Sequence, residues 1–250
     1  MKFSIVTCTW NSGEYLQACI NSVASQDWPK IEQVFVDGGS TDATLDIIRA
    51  MPGNVKVVEN VRGGISRAMN AGIQAATGDV IAHLHSDDYY AHPQVLSHVA
   101  QALEDSGAEW LFGRCLSDID GARIAEKFPA PHYSYRRLMK GNFIPHPAVF
   151  IRKRLLDRTE GFDEGIKYAM DYDLWLKLGR LAEPLQLDEH LAVFRRHAGS
   201  LSTANALPAL QDDFAVRLSH ASKTPWSLGY HWLHYLVRRR RLLRRLAGAT

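Results

Sequence analysis

The chain has 250 residues, enough to bury a full core in one large domain or in one domain with an appendage. Hydrophobic residues make up 46% and charged residues 22%, which excludes a disordered chain and points to an ordinary folded, soluble one. Net charge is +2, yet six arginines crowd into residues 238–245, so the rest of the chain carries −4 and offers no broad basic face for nucleic acid.

Strand-like and helical periods alternate through the first hundred residues. Lys2–Thr9 is rich in Ile, Val and Thr and reads as a strand, with Cys8 inside it. Glu14–Ser25 carries Tyr15, Leu16, Cys19, Ile20 and Val23 at helical spacing. Ile31–Val36 is a second strand, and Asp42–Ala50 a second helix with Leu45, Ile47 and Ile48 inward. Val55–Val58 is a third strand, Ile65–Ala76 a third helix and Asp79–His85 a fourth strand. Strands alternating with helices predict a mainly parallel α/β sheet with right-handed crossovers. Thr9-Trp10-Asn11-Ser12-Gly13 follows the first strand where a dinucleotide-binding fold would need G-x-G-x-x-G.

The pattern then changes. Pro93–Leu103 reads as a helix, Glu109–Cys115 as a strand, and Asp118-Ile119-Asp120-Gly121 as a turn leading to a strand over Arg123–Phe128. Pro129, Pro131, Pro145 and Pro147 bracket loops, Asp171–Leu181 is a helix, Leu185–Phe194 is strand-like, and the chain reads as helical from Pro208 onward. Cys8, Cys19 and Cys115 are odd in number and widely spaced, as expected of reduced thiols in a cytosolic protein without a zinc site. The apolar run at Phe3–Val6 is too short for a signal-peptide core, and no stretch approaches the ~18–20 apolar residues of a membrane span.

Four constellations carry chemistry. Asp37 follows Val34-Phe35-Val36 and precedes Gly38-Gly39-Ser40-Thr41-Asp42; the glycines permit close approach of a ligand, so Asp37 is read as a ligand contact and Asp42 as a helix cap. Asp87 and Asp88 end the fourth strand. In an open α/β sheet, ligands bind beyond the carboxyl ends of the parallel strands, so Asp37 and the Asp87-Asp88 pair reach one rim. Carboxylates repel a phosphate but hold a divalent cation that binds one, which makes a nucleotide-diphosphate site with a metal the natural reading. Asp87 is assigned to the metal and Asp88 to a capping or ribose role. In Asp171-Tyr172-Asp173-Leu174-Trp175, Asp171 shares a helical face with Leu174, Trp175 and Leu178. A carboxylate on an apolar face needs a partner or a task, which makes Asp171 the candidate general base. Asp173 lies off that face, four residues before Lys177, and is assigned to a solvated pair. His197 follows Arg195-Arg196 and precedes a Gly-Ser loop, a setting for a structural histidine or for an anion or metal-diphosphate contact.

Taken together, these blocks resemble the family-2 glycosyltransferases of the GT-A fold over about residues 2–203. The carriers are Ser4-Ile5-Val6-Thr7 with Asn11, Val36 to Asp42, Asn70-Ala71-Gly72-Ile73 with Ala76-Thr77-Gly78-Asp79, Ser86-Asp87-Asp88, Gly161-Phe162-Asp163-Glu164, Asp171 to Trp175, and His197. The resemblance implies a GT-A-type, Rossmann-like, mainly parallel sheet flanked by helices, with a C-terminal helical tail. Residues 1–203 would form the transferase domain, about 1–100 for the nucleotide-sugar and about 101–203 for the acceptor and base, followed by a basic tail over 204–250. It implies an inverting, hexosyltransferase-like enzyme that takes a UDP-linked sugar to a saccharide or lipid-linked hydroxyl in surface polysaccharide synthesis, with Mg²⁺ or Mn²⁺. Thr7, Thr9 and Asp37 would hold the nucleotide, Asp87 would end the metal-binding D-x-D motif, Asp171 would be the base, and His197 would face metal or diphosphate. Two departures stand out: His85 occupies the first D-x-D position, and Gly63–Asn70 carries its arginine at Arg67, two places before the usual one. Arg67 is assigned to the nucleotide, with Arg62 as the alternative. Pro145-His146-Pro147 is a candidate for the cleft wall, with loop packing as the other reading of His146.

In the tail, Trp226, Tyr230, Trp232, Leu233, Tyr235, Leu236, Leu242, Leu243 and Leu246 intersperse the arginines. That composition fits an interfacial helix on an anionic membrane, peripheral on the cytoplasmic face of the inner membrane; the alternative is a helix packed on the domain. The rivals to the transferase reading are a nucleotidyltransferase, which needs no base at Asp171, and a non-catalytic nucleotide-sugar-binding module.

Overall fold

The computed structural model describes residues 1–53, 55–125, 130–196 and 205–247. The elements run β1 (Phe3–Thr9), α1 (Leu16–Ala24), β2 (Ile31–Asp37), α2 (Thr44–Arg49), β3 (Val55–Val58), α3 (Ile65–Ala75), β4 (Val80–His83), β5 (Tyr89–Tyr90) and α4 (Val95–Ser106). They continue with β6 (Trp110–Ile119), β7 (Ala122–Ala125), α5 (Tyr135–Leu138), β8 (Val149–Arg152), α6 (Lys153–Leu156), α7 (Met170–Leu181), β9 (Leu185–Arg195), α8 (Ala206–His220) and α9 (Pro225–Ala247).

β1 is apolar almost throughout because both its faces are covered. It runs parallel to β2 on one side and to β4 on the other, and β3 extends the parallel set beyond β2. α1 buries Leu16, Cys19, Ile20 and Val23, the stripe that its 3.6-residue period dictates. α3 lies so close to the sheet that a Cβ on Gly72 would stand 2.3 Å from Val6 Cγ1, so only glycine fits there. Glu32 is buried near the start of β2. It accepts hydrogen bonds from Lys2 Nζ at 2.8 Å, Thr77 Oγ1 at 2.8 Å, Thr77 N and Ser4 Oγ. Burial alone would raise its pKa, but these donors bring it down to about 2, and the charged carboxylate pins the loop before β4 to the sheet.

The strand order is β3-β2-β1-β4-β8-β6-β9-β5, with β7 hanging on β6. Parallel pairing holds through β1–β4, and then β8 joins β4 and β6 antiparallel while β9 runs parallel to β6. The first half therefore keeps the sequence's βα alternation, and the second half mixes directions.

Several boundaries differ from the sequence reading for local reasons. The fourth strand ends at His83, not His85: residues 84–88 leave the sheet in a turn closed by Asp88 N on His85 O at 3.0 Å. The chain then forms β5 at the far edge of the sheet, against β9. β6 runs on to Ile119, four residues past Cys115, because β7 and β9 pair with both its sides. The strand expected over Arg123–Phe128 is present at Ala122–Ala125, and residues 126–128 lie outside the described residues. The tail, read as helical from Pro208 onward, consists of the two helices α8 and α9.

One core face gathers Val6, Val36, Met69, Trp110, Leu174 and Trp175; the other gathers Phe3, Ile5, Val80, Leu96 and Phe150. The tail docks by polar contacts as well as apolar ones. His220 Nε2 on α8 meets Asp173 Oδ1 on α7 at 2.7 Å, and Arg180 Nη2 donates to the His220 carbonyl. Phe214 and Tyr235 stack at 4.4 Å between α8 and α9. Arg217 is fully buried there, donating to Asp213 Oδ1 at 2.9 Å, and the same oxygen accepts from Arg238 Nη1 at 2.8 Å. Among the described residues no helix is long and apolar enough to cross a membrane.

Candidate active site

A cleft of about 1090 Å³ opens beyond the carboxyl ends of β1, β2 and β4. Its walls come from the loop after β1 (Thr9 to Ser12), Gly38-Gly39 after β2, Arg62 to Ile65, the 85–87 turn after β4, and Tyr168, Met170 and Asp171 at the start of α7.

The β2 loop is built by Asp37. Its Oδ1 accepts from Gly39 N and Ser40 N at 2.8 Å each, and its Oδ2 accepts from Ser40 Oγ at 2.5 Å and Thr9 Oγ1 at 3.0 Å. Burial pulls its pKa up, but these hydrogen bonds outweigh it and hold the carboxyl below the ordinary range. Gly39 has φ +96, a left-handed conformation that favours glycine and lets the carboxylate cap its own loop. Asp37 thus lies one layer beneath the cleft surface, and Gly38 and Gly39 form the wall. Asp42 caps as expected, its Oδ2 accepting from Gly13 N at 3.0 Å and its Oδ1 from Thr44 N and Oγ1.

The 85–88 turn separates the two aspartates. Asp87 lines the cleft. Asp88 points the other way and is buried against β9, where its Oδ1 accepts from Arg195 N at 3.1 Å. Burial, with Asp87 beside it, pushes the Asp88 carboxyl well up from its ordinary value. Asp88 therefore secures the turn and does not line the cleft, which favours the capping reading over the ribose one. Arg195 fixes the same turn from outside: its Nε donates to Asp87 O at 3.1 Å, and its guanidinium lies over the Tyr15 and Tyr89 rings at 4.8 and 5.3 Å.

His85 lies flat on His146, ring centroids 4.7 Å apart and planes within 2°. Both line the cleft, so His146 belongs to its wall. Burial lowers the pKa of each, and His83 behind them is brought down to about 3, so the stack is neutral at pH 7. A carboxylate at Asp87 beside a neutral imidazole at His85 is an oxygen-nitrogen donor set, which fits a divalent cation. Among the described residues, the one group of three His, Cys, Asp or Glu side chains close enough to share an ion is His92, His98 and Glu189, none of which lines this cleft.

Asp171 stands at the first turn of α7, facing the cleft. Tyr172 N donates to its Oδ1 at 2.6 Å and Asn142 Nδ2 to its Oδ2 at 3.1 Å. Burial outweighs these bonds and lifts the carboxyl to about 6. Asp173 is not the solvated residue expected from the sequence: it is 4% exposed, and besides His220 it meets Lys177 Nζ at 2.7 Å. The sequence shows the i,i+4 lysine but not α8, which closes over the pair.

Among the expected nucleotide contacts, Thr9 lines the cleft. Thr7 does not; it is buried within β1. Arg67 is exposed outside the cleft, and Arg62 lines it instead. His197 lies outside the described residues. Trp10, 70% exposed at the cleft mouth, Tyr15 and Lys167 are wall residues that the sequence did not single out, because nothing in their spacing distinguishes them from loop positions.

A switch-point cleft with a loop-building Asp37, a metal-competent Asp87 and a carboxylate at the head of α7 defines a glycosyltransferase of the GT-A class. The solved structures agree. Staphylococcus aureus TarS (residues 1–349, in complex with UDP-GlcNAc) aligns over 92% of this chain and 69% of its own at TM-score 0.74 and 25% identity. A Pyrobaculum calidifontis mannosyltransferase, solved with GDP-Man and Mn²⁺, shares the fold over 99% of this chain and 80% of its own, at TM-score 0.64 and 18% identity. The family model "Glycosyl transferase family 2" matches residues 4–162, and the chain belongs to that family. Among curated relatives, a chondroitin synthase of Pasteurella multocida is 32% identical over 85% of this chain, and an uncharacterized glycosyltransferase of Mycobacterium tuberculosis is 31% identical over 74% of this chain and 71% of its own. The chain spans only 22% of the length of that chondroitin synthase and 19% of a Pasteurella multocida hyaluronan synthase that it also matches.

Proposed function

We propose that this glycosyltransferase is inverting and metal-dependent, moves a sugar from a UDP-linked donor to a saccharide or lipid-linked hydroxyl, and serves surface polysaccharide synthesis. The observation that carries the reading is Asp171, a carboxyl lifted to about 6 by burial and lining the same cleft as Asp87. A base with that pKa is ionised at neutral pH and still basic enough to take a hydroxyl proton as the bond forms. The acceptor oxygen forms its bond to the anomeric carbon as its proton passes to Asp171. The bond from that carbon to the diphosphate oxygen breaks, and the diphosphate leaves with the electron pair. One displacement inverts the centre. Asp87 and His85 would hold the divalent cation, with His197 assigned to the same ion or its diphosphate. When bound, the cation supplies charge neutralisation for the leaving group. Thr9, Gly38, Gly39 and Arg62 form the nucleotide wall, and Asp37 holds it in shape. Residues 1–100 serve the donor, and 101–203 the acceptor and base.

The reading includes peripheral contact with an anionic membrane on the cytoplasmic face. What supports it is one stripe of α9, where exposed Trp226, Leu233, Leu236 and Val237 share a face with Arg240 and Arg244.

The test is a panel of sugar nucleotides offered to the full chain with Mn²⁺ and scored for nucleoside diphosphate release. A UDP-sugar should be turned over, with a product of opposite anomeric configuration. Retention of configuration would rule out single displacement, and release of pyrophosphate would favour a nucleotidyltransferase.

A further inference from the structure

Asp171 lines two cavities. Besides the donor cleft it borders a second one, of about 500 Å³, whose other walls include Asn142, Tyr168, the first two turns of α8 up to Asp213 and a run of α9. That volume lies within the ~300–1,000 Å³ usual for ligand pockets. α9 contributes Arg238, Arg241, Leu242 and Arg245, spaced i, i+3, i+4 and i+7, so they share one helical face. The tail's arginine cluster is thereby divided: three arginines face the cavity that meets the base, while Arg239, Arg240 and Arg244 lie on other faces.

The charges around the cavity do not cancel. Asp213 is its second carboxylate, but its Oδ1 already accepts from both Arg217 and Arg238. Among the described residues, Arg241 and Arg245 have no ion-pair partner. Arginine in an exposed cluster is common, but two uncommitted guanidiniums on the wall of a concave site that ends at a general base are a carboxylate or phosphate receptor.

We propose that this cavity is the acceptor subsite and that it selects an acceptor carrying an anion, held by Arg241 and Arg245 while the attacked hydroxyl reaches Asp171. This rests on the transferase reading given above. The shared chemistry is an oxyanion, from either the carboxylate of a sugar acid or the phosphate linking a sugar to its carrier.

Three soluble probes separate these cases: phenyl β-D-glucuronide, α-D-glucose 1-phosphate and the neutral phenyl β-D-glucoside. Binding to the full chain is measured by ligand-observed NMR at fixed ionic strength, without turnover. At least one anionic probe should bind about tenfold or more tightly than the neutral one. That preference should vanish in Arg241→Gln/Arg245→Gln and persist in Arg240→Gln/Arg244→Gln, which removes the same charge from another face. A glucuronide preference identifies a sugar acid, and a phosphate preference a phosphate-linked acceptor. Equal binding of all three probes, an unchanged preference in Arg241→Gln/Arg245→Gln, or equal loss in both double variants would overturn the proposal. The binding readout is independent of the donor panel. Anion selectivity without nucleotide release would sink the transferase reading and leave an oxyanion site; release without selectivity would do the reverse.

Discussion

Asp171 and Asp173 stand two residues apart on α7 and are driven in opposite directions. Burial lifts Asp171 to about 6, whereas at Asp173 the same burial is outweighed by His220 and Lys177, which hold that carboxyl below its ordinary value. Two residues is about half a helical turn, so the two carboxylates face different surroundings: a cleft for one, and the α8 contact for the other.

The base should announce itself in the pH profile. Asp171 must be ionised to accept a proton, so kcat/KM should rise as pH increases through about 6 and level off above it. Asp171→Asn should lose about 10²–10⁴-fold in kcat while donor binding stays within a few-fold. A variant that keeps parental turnover would remove Asp171 from the reaction.

The same residue should be a stability liability. Its folded pKa, about 6, exceeds the ordinary 3.8, so the folded state binds the extra proton and stability falls as pH rises between these values. At pH 8, Asp171→Asn should therefore be more stable than the parent, by about 3 kcal/mol at most, and the gain should shrink toward pH 4. Denaturant melts at the two pH values check this, and a variant less stable at both contradicts the burial account.

Asp173 should behave in the converse way. Its lowered pKa contributes stability that is present above about 3.8 and lost as pH falls through the folded value. Asp173→Ala strands Lys177 and His220 and should cost about 3–5 kcal/mol. Asp173→Asn, assayed well below its melting temperature, should cost far less turnover than Asp171→Asn. Reversed activity effects would exchange the roles assigned to the two carboxylates.

For the metal, Asp87→Ala should abolish transfer and weaken cation-dependent nucleotide binding, leaving far-UV circular dichroism unchanged. Full activity of the parent in excess chelator would end the metal-dependent mechanism.

For the tail, replacing exposed apolar residues tests the membrane without unfolding the helix. Trp226→Ser/Leu233→Ser should reduce binding to vesicles containing phosphatidylglycerol, and added salt should reduce parental binding. Unchanged vesicle binding in this variant would leave α9 as a packed helix only.

The parallel half of the fold was legible because β1 to β4 alternate with helices whose apolar stripes keep a clean 3.6 period. The second half was not, because strand direction depends on partners far along the chain: nothing between residues 109 and 119 states that β9 runs parallel to it and β8 antiparallel. At the site, the sequence pattern put Asp87 and Asp171 on the functional rim, and both line the cleft. Asp88, Thr7 and Arg67 do not line the cleft, because adjacent positions at a turn or helix start differ in direction, which motif matching does not resolve. The burial of Asp173 was hidden because its cover comes from His220, 47 residues on. The sequence reading of the arginine cluster as one basic patch missed that helical geometry sends its members to different faces.

The grip of Arg195 on the Asp87-Asp88 turn has a consequence for how the chain is made. Asp87 leaves the ribosome more than a hundred residues before the backbone amide and side chain that fix its turn. β5, which follows the turn directly, pairs with β9 alone among the described strands. During synthesis the parallel half has its own local crossovers and can form early, but the turn carrying Asp87 stays without its strand partner until β9 arrives. Nascent chains halted before residue 185 should thus resist protease over β1–β4 yet be cleaved near residues 84–92, so that the proposed cation site is among the last features of the molecule to exist.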